Sequence, residues 1–184
     1  MRVAHELLFS VAFICVGAQE APMPCATGFF IVHKGARYFV TAKHVAEQLS
    51  ETPFFIRFNQ DGPGVGLLPI DFVMSEEPLL RWIGHANPAV DLAVMAFPVA
   101  VWEQGMVSMD LNSEASITFE SPISDAGCGD MCHVIGLFSH VSGSTRNVAV
   151  VHTGHIAAMP DSNELIDVDL MSVVRTFGAK WGAD

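Results

Sequence analysis

The chain has 184 residues, of which 51% are hydrophobic and 16% are charged, so it has the composition of a folded protein with a substantial core. This length suits one domain or two small lobes. The net charge is -11 and the nine Lys and Arg residues are scattered, which argues against nucleic acid as a partner. We expect no membrane partner either, because no apolar run is long enough to span a bilayer.

The first apolar segment allows two interpretations. Met1-Arg2 followed by Leu7–Ala18 has the charged and apolar regions of a secretory signal. Against a signal, Glu6 lies at the start of the apolar run, and Ser10–Val16 is equally typical of a β-strand. A retained strand favours a cytoplasmic location, whereas a signal within residues 1–18 would send the chain to the periplasm or out of the cell.

A β-hairpin is predicted next. Thr27–His33 and Arg37–Ala42 are apolar and β-prone, and Lys34-Gly35-Ala36 supplies the turn between them. Val45–Leu49 suits a single helical turn, so His44 lies where a strand ends and a short helix begins. A histidine held in this way lies on a rigid element at the mouth of whatever that strand lines, where it could take part in catalysis. The alternative is that it only terminates the strand, as a lone histidine usually does.

Further short strands complete a first lobe that ends near Pro98, and they are Pro53–Phe58, Val65–Met74, Leu79–Gly84 and Val90–Phe97. About six short strands at this spacing are typical of a β-sandwich or barrel. Asp91 follows the Asn87-Pro88 turn at the start of the last strand. It either caps that turn or faces His44 from a neighbouring strand end.

A second set of strands is predicted after an irregular linker over residues 99–114. Its members are Ser116–Glu120, Met131–Phe138, Asn147–Ala157 and Leu165–Leu170. The second lobe is expected to be the weaker one, because a barrel without its last strands leaves an edge unpaired. Limited proteolysis is therefore expected to cut first after residue 110.

Four cysteines, Cys15, Cys25, Cys128 and Cys132, either form two disulfides in an oxidising compartment or remain as buried free thiols, the simpler interpretation. Cys128 and Cys132, followed by His133, also suggest zinc. However, three residues separate the two cysteines and no second ligand pair lies elsewhere, whereas structural zinc normally has four ligands. We predict no metal and no other cofactor.

The predicted hairpin resembles that of the trypsin-like serine peptidases. Ala26-Thr27-Gly28-Phe29 is similar to the Gly-Thr/Ser-Gly-Phe strand of that family, with Ala26 where glycine is usual. Thr41-Ala42-Lys43-His44 is similar to its Thr-Ala-x-His, and Asp91 to the aspartate that opens a later strand. The resemblance also favours a retained strand over Ser10–Val16.

Two weaker matches extend the resemblance to about residue 170. Gly127-Cys128-Gly129-Asp130 followed by Val134-Ile135-Gly136-Leu137-Phe138 is similar to a glycine-acidic turn and a Val-x-Gly-Phe strand of the bacterial members. Thr153-Gly154-His155-Ile156 is similar to the Thr-x-Gly-x-Ile strand that follows. The order and the spacing of these matches agree with the family.

The resemblance implies an all-β fold with two β-barrel lobes and a peptide or protein substrate. Residues 8–98 are expected to form a closed barrel carrying His44 and Asp91, and residues 115–184 an incomplete second barrel. In the family the histidine is the general base, and the aspartate orients it and stabilises its charged form. The core of the first lobe is expected to hold Val11, Phe13, Phe29, Ile31, Phe39, Val40, Ile56, Leu92 and Val94.

The resemblance does not supply a nucleophile, because the sequence contains no Gly-x-Ser-Gly. Ser172 has no glycine beside it, and Ser139, Ser142 and Ser144 lie in a loop on the wrong side of the strand order. We therefore interpret the chain as a trypsin-like serine endopeptidase domain that keeps the histidine and the aspartate but has no recognisable nucleophile. It is expected not to hydrolyse peptides by itself. The alternative is a non-catalytic, truncated homologue or protein-binding module.

Overall fold

The structure is a computed structural model that describes residues 3, 5–33, 36–60, 63–71, 81–96, 109–110, 128–138, 143 and 145–156. The fold is all-β, with two short helices. In chain order the elements are α1 His5–Phe9, β1 Val11–Val16, β2 Met23–His33, β3 Ala36–Thr41, α2 Lys43–Gln48, β4 Phe54–Asn59, β5 Val65–Ile70, β6 Trp82–Gly84, β7 Ala93–Ala96, β8 Met109–Asp110, β9 Met131–Leu137 and β10 Ala149–His155.

Seven strands follow one another in an antiparallel sheet with the order β5-β4-β1-β2-β3-β7-β6. An eighth strand, β8, pairs in parallel with β2 at Ile31 and Val32. It lies inside the segment predicted as an irregular linker, of which the structure describes only these two residues. The strands β9 and β10 form a separate two-stranded sheet.

The strand predicted over Ser10–Val16 is confirmed as β1. It pairs with β2 on one side and with β4 on the other, and five of its six residues are buried. A strand buried on both faces has no polar alternation, which is why the same residues also suit the apolar region of a signal. Within the described residues, no helix has the length and apolar character needed to cross a membrane.

Apolar side chains on one face of the sheet form the main core. The members of this cluster that are at most 2% exposed are Ala12, Ile14, Phe30, Phe39, Phe54, Ile56, Phe58, Ile70 and Met95. The rings of Phe54 on β4 and Trp82 on β6 stack with their centroids 6.0 Å apart. Because four strands lie between β4 and β6 in the sheet order, this contact requires the sheet to curl around its core.

The predicted core residues divide between the two faces of the sheet. Phe39 and Ile56 belong to the main core, as expected. Val11, Phe13, Ile31 and Val40 are buried, but they lie in two smaller clusters apart from it.

Three of the predicted core residues are not buried. Phe29 is 36% exposed and Leu92 is 38% exposed, so their prediction was wrong, and Val94 is only partly buried. In β1 and β2 both faces are apolar, and the sequence therefore could not show which alternate residues point inward.

Gly28 allows β2 and β3 to approach closely near the end of β3. A Cβ atom at this position would lie 2.5 Å from the Val40 carbonyl oxygen and from the Phe39 ring. No ordinary side chain fits that space, which gives the glycine of the Thr-Gly-Phe segment a packing role.

The β9–β10 hairpin packs on the opposite face of β1. Leu137, with Ile135 and Ala149 beside it, contacts the cluster that contains Val11 and Phe13. The Met131–Phe138 and Asn147–Ala157 strands are confirmed, with slightly shorter bounds. The predicted strands Ser116–Glu120 and Leu165–Leu170 lie outside the described residues.

Two asparagines join this hairpin to the first sheet. The Nδ2 of Asn59 on β4 donates to the Asn147 carbonyl at 3.1 Å, and the Asn147 N–H donates back to Oδ1 of Asn59 at 2.7 Å. The Nδ2 of Asn147 also donates to the Arg57 carbonyl at 2.7 Å. Both asparagines are buried. They join β4 of the first sheet to the chain just before β10 by side-chain bonds in place of a strand pair.

Candidate functional site

His44 and Asp91 meet because two antiparallel strands share an edge of the sheet. Thr41, the last residue of β3, pairs with Ala93, the first residue of β7. The chain after β3 and the chain before β7 therefore leave the sheet at the same place. The predicted helical turn is confirmed as α2, which begins two residues earlier than expected and includes His44.

The carboxylate of Asp91 accepts two hydrogen bonds from His44. Its Oδ2 lies 2.7 Å from Nδ1 of the ring, and its Oδ1 lies 2.9 Å from the His44 backbone N–H. The His44 side chain is 47% exposed and that of Asp91 is 25% exposed. The carboxylate is thus held on two sides while the imidazole reaches into solvent.

The same carboxylate caps the N-terminus of α2. Ala42 occupies the N-cap position and makes no side-chain capping bond. Asp91 takes that role from a distant part of the chain, since the backbone N–H of His44 in the first turn donates to its Oδ1. A capping oxygen satisfies backbone groups that have no partner within the helix. From the sequence, the alternative role of Asp91 was to cap the preceding Asn87-Pro88 turn. In the structure it caps the N-terminus of α2.

These contacts determine the acidity of Asp91. Its partial burial acts to raise the pKa, but the hydrogen bonds from the His44 N–H and ring, the His44 charge and the Lys43 N–H together outweigh burial. The pKa of Asp91 therefore lies below its ordinary value of 3.8. At neutral pH the group is an ionised acceptor for the imidazole.

The strand that leads to His44, β3, is also anchored. The Thr41 hydroxyl, which is buried, donates to the Thr27 carbonyl at 2.9 Å across β2 and β3. Together with the close approach at Gly28, this bond fixes the end of β3 three residues before His44. Thr27, Gly28 and Thr41 are residues of the two quoted motifs, and each has a structural reason to be there.

A small cleft of about 190 Å³ lies beside α2 and was not predicted. Its apolar walls are Ala46, Trp82, Gly84 and Ala93, and Lys43, Glu47 and Ser50 complete the lining. Its surface is mainly apolar, and it opens next to the helix that carries His44.

No described residue is placed to serve as nucleophile. His44 makes no side-chain hydrogen bond other than that to Asp91 within the described part of the chain. The two serines of that part, Ser10 and Ser50, donate to backbone carbonyls of nearby residues. The candidates Ser139, Ser142, Ser144 and Ser172 lie outside the described residues.

The cysteines correct one prediction. All four are free thiols, but only Cys15 is fully buried, and Cys128 is exposed. Burial raises the pKa of Cys15 to about 11. Across the described ranges, no three His, Cys, Asp or Glu side chains group as a metal site would require. His133, which was considered as a zinc ligand together with Cys128 and Cys132, instead contacts the Thr153 hydroxyl through Nδ1 at 3.1 Å.

The sequence was also compared with protein-family models and with curated proteins. No family model matches it, and no curated protein matches it. The quoted motifs and the geometry above are therefore the observations on which its function is argued.

Proposed function

We propose that His44 and Asp91 are the general base and the orienting carboxylate of a trypsin-like serine endopeptidase site, in a chain without a recognisable nucleophile. The observation that carries the proposal is the 2.7 Å contact between Nδ1 of His44 and Oδ2 of Asp91. With the ring proton on Nδ1, the Nε2 lone pair points away from Asp91 and can accept a proton. The carboxylate stabilises the imidazolium that forms.

The proposal includes the fold of that family. A first barrel over residues 8–98 is supported by the curl of the sheet, in which Trp82 reaches Phe54 across the core. An incomplete second barrel over residues 115–184 is supported by β9 and β10, which correspond to the two strands quoted for the resemblance. In such a fold the substrate is a peptide or protein bound between the lobes.

The chemistry of this pair is proton transfer to and from an attacking hydroxyl. In acyl transfer, the base takes the proton of a serine as the serine oxygen attacks the carbonyl carbon, and later gives it to the leaving amine. Without the nucleophile, the same pair can still activate water towards a reactive ester, although slowly. This residual activity provides a test that does not depend on finding the serine.

A second candidate function is a non-catalytic barrel in which the pair is purely structural. It is favoured by the capping role of Asp91, which accepts the backbone N–H of His44 in the first turn of α2. This role alone would explain the presence of an aspartate at the position. It does not explain why the helix places a histidine, with its ring on the same carboxylate, at the exposed edge.

The decisive experiment measures hydrolysis of p-nitrophenyl acetate by the wild-type chain and by His44→Ala. We expect the His44→Ala variant to lose the protein-dependent rate by about tenfold or more, a modest share of what a general base contributes. His155→Ala, which removes another exposed histidine from β10, is the matched control and should retain the rate. Equal losses in both variants would support the structural candidate.

A fluorophosphonate probe then asks whether the chain has a reactive serine. The absence of Gly-x-Ser-Gly predicts no labelling of the wild-type chain. Labelling that disappears in His44→Ala would identify a nucleophile that the sequence did not reveal, and mass spectrometry of the labelled peptide would locate it. Ser172→Ala is the first variant to examine in that case.

A further inference from the structure

The loop between β6 and β7 places Asp91, and its conformation depends on Asn87. The two strands pair from Trp82–Gly84 to Ala93–Met95, and the His85 N–H donates to the Leu92 carbonyl at 2.8 Å. The residues from His85 to Leu92 therefore form a closed loop at the end of the hairpin. Asp91 is the residue just inside the closing bond.

The side chain of Asn87 organises the rest of this loop. Its Oδ1 accepts the Ala89 N–H at 3.0 Å, an Asx turn around Pro88, and its carbonyl accepts the Val90 N–H at 3.1 Å. Its own N–H donates to Nδ1 of His85 at 3.1 Å. Asn87 is exposed, and its three bonds all remain within the loop.

These bonds fix the backbone on both sides of Asp91. Val90 is held to Asn87 on one side, and Leu92 is held to His85 on the other. Pro88 adds a fixed φ angle to the turn. The carboxylate can reach both Nδ1 and the backbone N–H of His44 only if the backbone of Asp91 has one position, since an Asp side chain has little length with which to compensate.

We propose that Asn87 is a positioning residue for Asp91, acting through the Asx turn that holds the carboxylate on His44. The inference rests on the proposed function for the catalytic role of His44 and Asp91, but it concerns only how the two side chains are held in contact. Asn87 touches neither substrate nor the imidazole. Its effect is therefore expected at the His44 backbone N–H, which Asp91 accepts directly.

Amide hydrogen exchange measured by NMR tests this at single residues without any need for catalysis. In Asn87→Ala the exchange of the His44 amide is expected to rise about tenfold, because its acceptor is no longer held in place. Asn87→Asp keeps the accepting oxygen and is expected to stay within about twofold of wild type. Ser50→Ala removes an exposed side-chain bond at the other end of α2 and is expected to leave the His44 amide unchanged.

A double variant shows whether the effect passes through Asp91. In an Asp91→Ala background, Asn87→Ala is expected to cause no further rise at the His44 amide. In Asn87→Ala, faster exchange at the Ala89 and Val90 amides with an unchanged His44 amide would overturn the proposal. Loss of exchange protection at the His44 amide in Asn87→Asp would also overturn it. General loss of protection in Asn87→Ala, including the Phe30 amide in the sheet, would also contradict a local role. A chain inactive on esters with the expected exchange pattern would reject the proposed function but retain this inference.

Discussion

The curled first sheet and the β9–β10 hairpin are both built mainly from antiparallel strands, but they bury very different amounts of their side chains. Five of the six residues of β1 are buried, whereas none of the seven residues of β10 is. A two-stranded hairpin alone is marginal in water, because it has no second layer to cover its apolar face. In this chain the first sheet provides that layer.

From this comparison we expect the hairpin to depend on the first sheet for its stability, whereas His44 and Asp91 lie in segments that directly follow β3 and precede β7 of that sheet. Among the described residues, the hairpin and its connecting loop are attached by an apolar contact around Leu137 and by the buried pair Asn59 and Asn147. Hydrogen bonds of Arg57 with Asn147 and Gly143, and the Arg146 guanidinium over the Phe9 ring, add to this attachment. His44 and Asp91 are therefore expected to keep their geometry even when the hairpin detaches.

The largest effect is expected from truncation in the sheet. Phe30 is fully buried against Phe39 and Phe58, so Phe30→Ala should lower the free energy of unfolding by about 3–5 kcal/mol. Val151→Ala, at a 36% exposed position on β10, is the matched truncation in the hairpin. It should change the free energy of unfolding by less than about 1 kcal/mol. Guanidinium unfolding measures both. Equal losses of unfolding free energy in the two variants would contradict this difference between the sheet and the hairpin.

A smaller, local effect is expected at the junction. Asn59→Ala leaves the buried N–H and C=O groups of Asn147 without their partner, which should cost about 2 kcal/mol of hairpin attachment. Cys15 reports this opening, because it is fully buried in the cluster that Leu137 covers and because burial raises its pKa to about 11.

Labelling of Cys15 by a thiol reagent, followed by peptide mapping, is therefore expected to be about 30-fold faster in Asn59→Ala than in wild type. Ser50→Ala serves as the control and should label at the wild-type rate. An unchanged Cys15 rate in Asn59→Ala, with Cys128 labelled normally, would show that the hairpin is not held by this pair.

The smallest effect concerns Asp91 and pH. Because the folded-state pKa of Asp91 is lowered, its ionised form adds stability that is present above the ordinary value of 3.8 and is lost as the pH falls through the lower folded value. The Asp91→Asn variant keeps an oxygen that can cap α2, but it cannot ionise and therefore lacks this pH-dependent stabilisation. Urea unfolding should show a difference of about 1 kcal/mol between wild type and variant at pH 7, and less in acid.

Glu51→Gln removes one negative charge from the exposed turn after α2 and controls for net charge in this titration. A difference between wild type and Asp91→Asn that stays constant, or grows, as the pH falls below 3.8 would contradict the assignment of the shift to the folded state.

The sequence predicted the strands and the pair, but not the details that hold the pair together. His44 and Asp91 could be proposed because each follows a recognisable signal, a strand end or an Asn-Pro turn. The cap of α2, next to Ala42, could not, because the capping group comes from the distant β6–β7 loop and no local pattern records it. The inward face of β2 was also undetermined, since Phe29 and Phe30 are equally apolar and only the pairing of strands distinguishes them.

The most direct test of the central claim is the tautomer of His44 in solution. A long-range ¹H–¹⁵N NMR spectrum at neutral pH distinguishes a ring with its proton on Nδ1 from one with its proton on Nε2. Because Oδ2 of Asp91 lies 2.7 Å from Nδ1, we predict that neutral His44 carries its proton on Nδ1 and that Asp91→Ala releases this preference. Neutral His44 with its proton on Nε2, or the same spectrum in Asp91→Ala, would contradict the account.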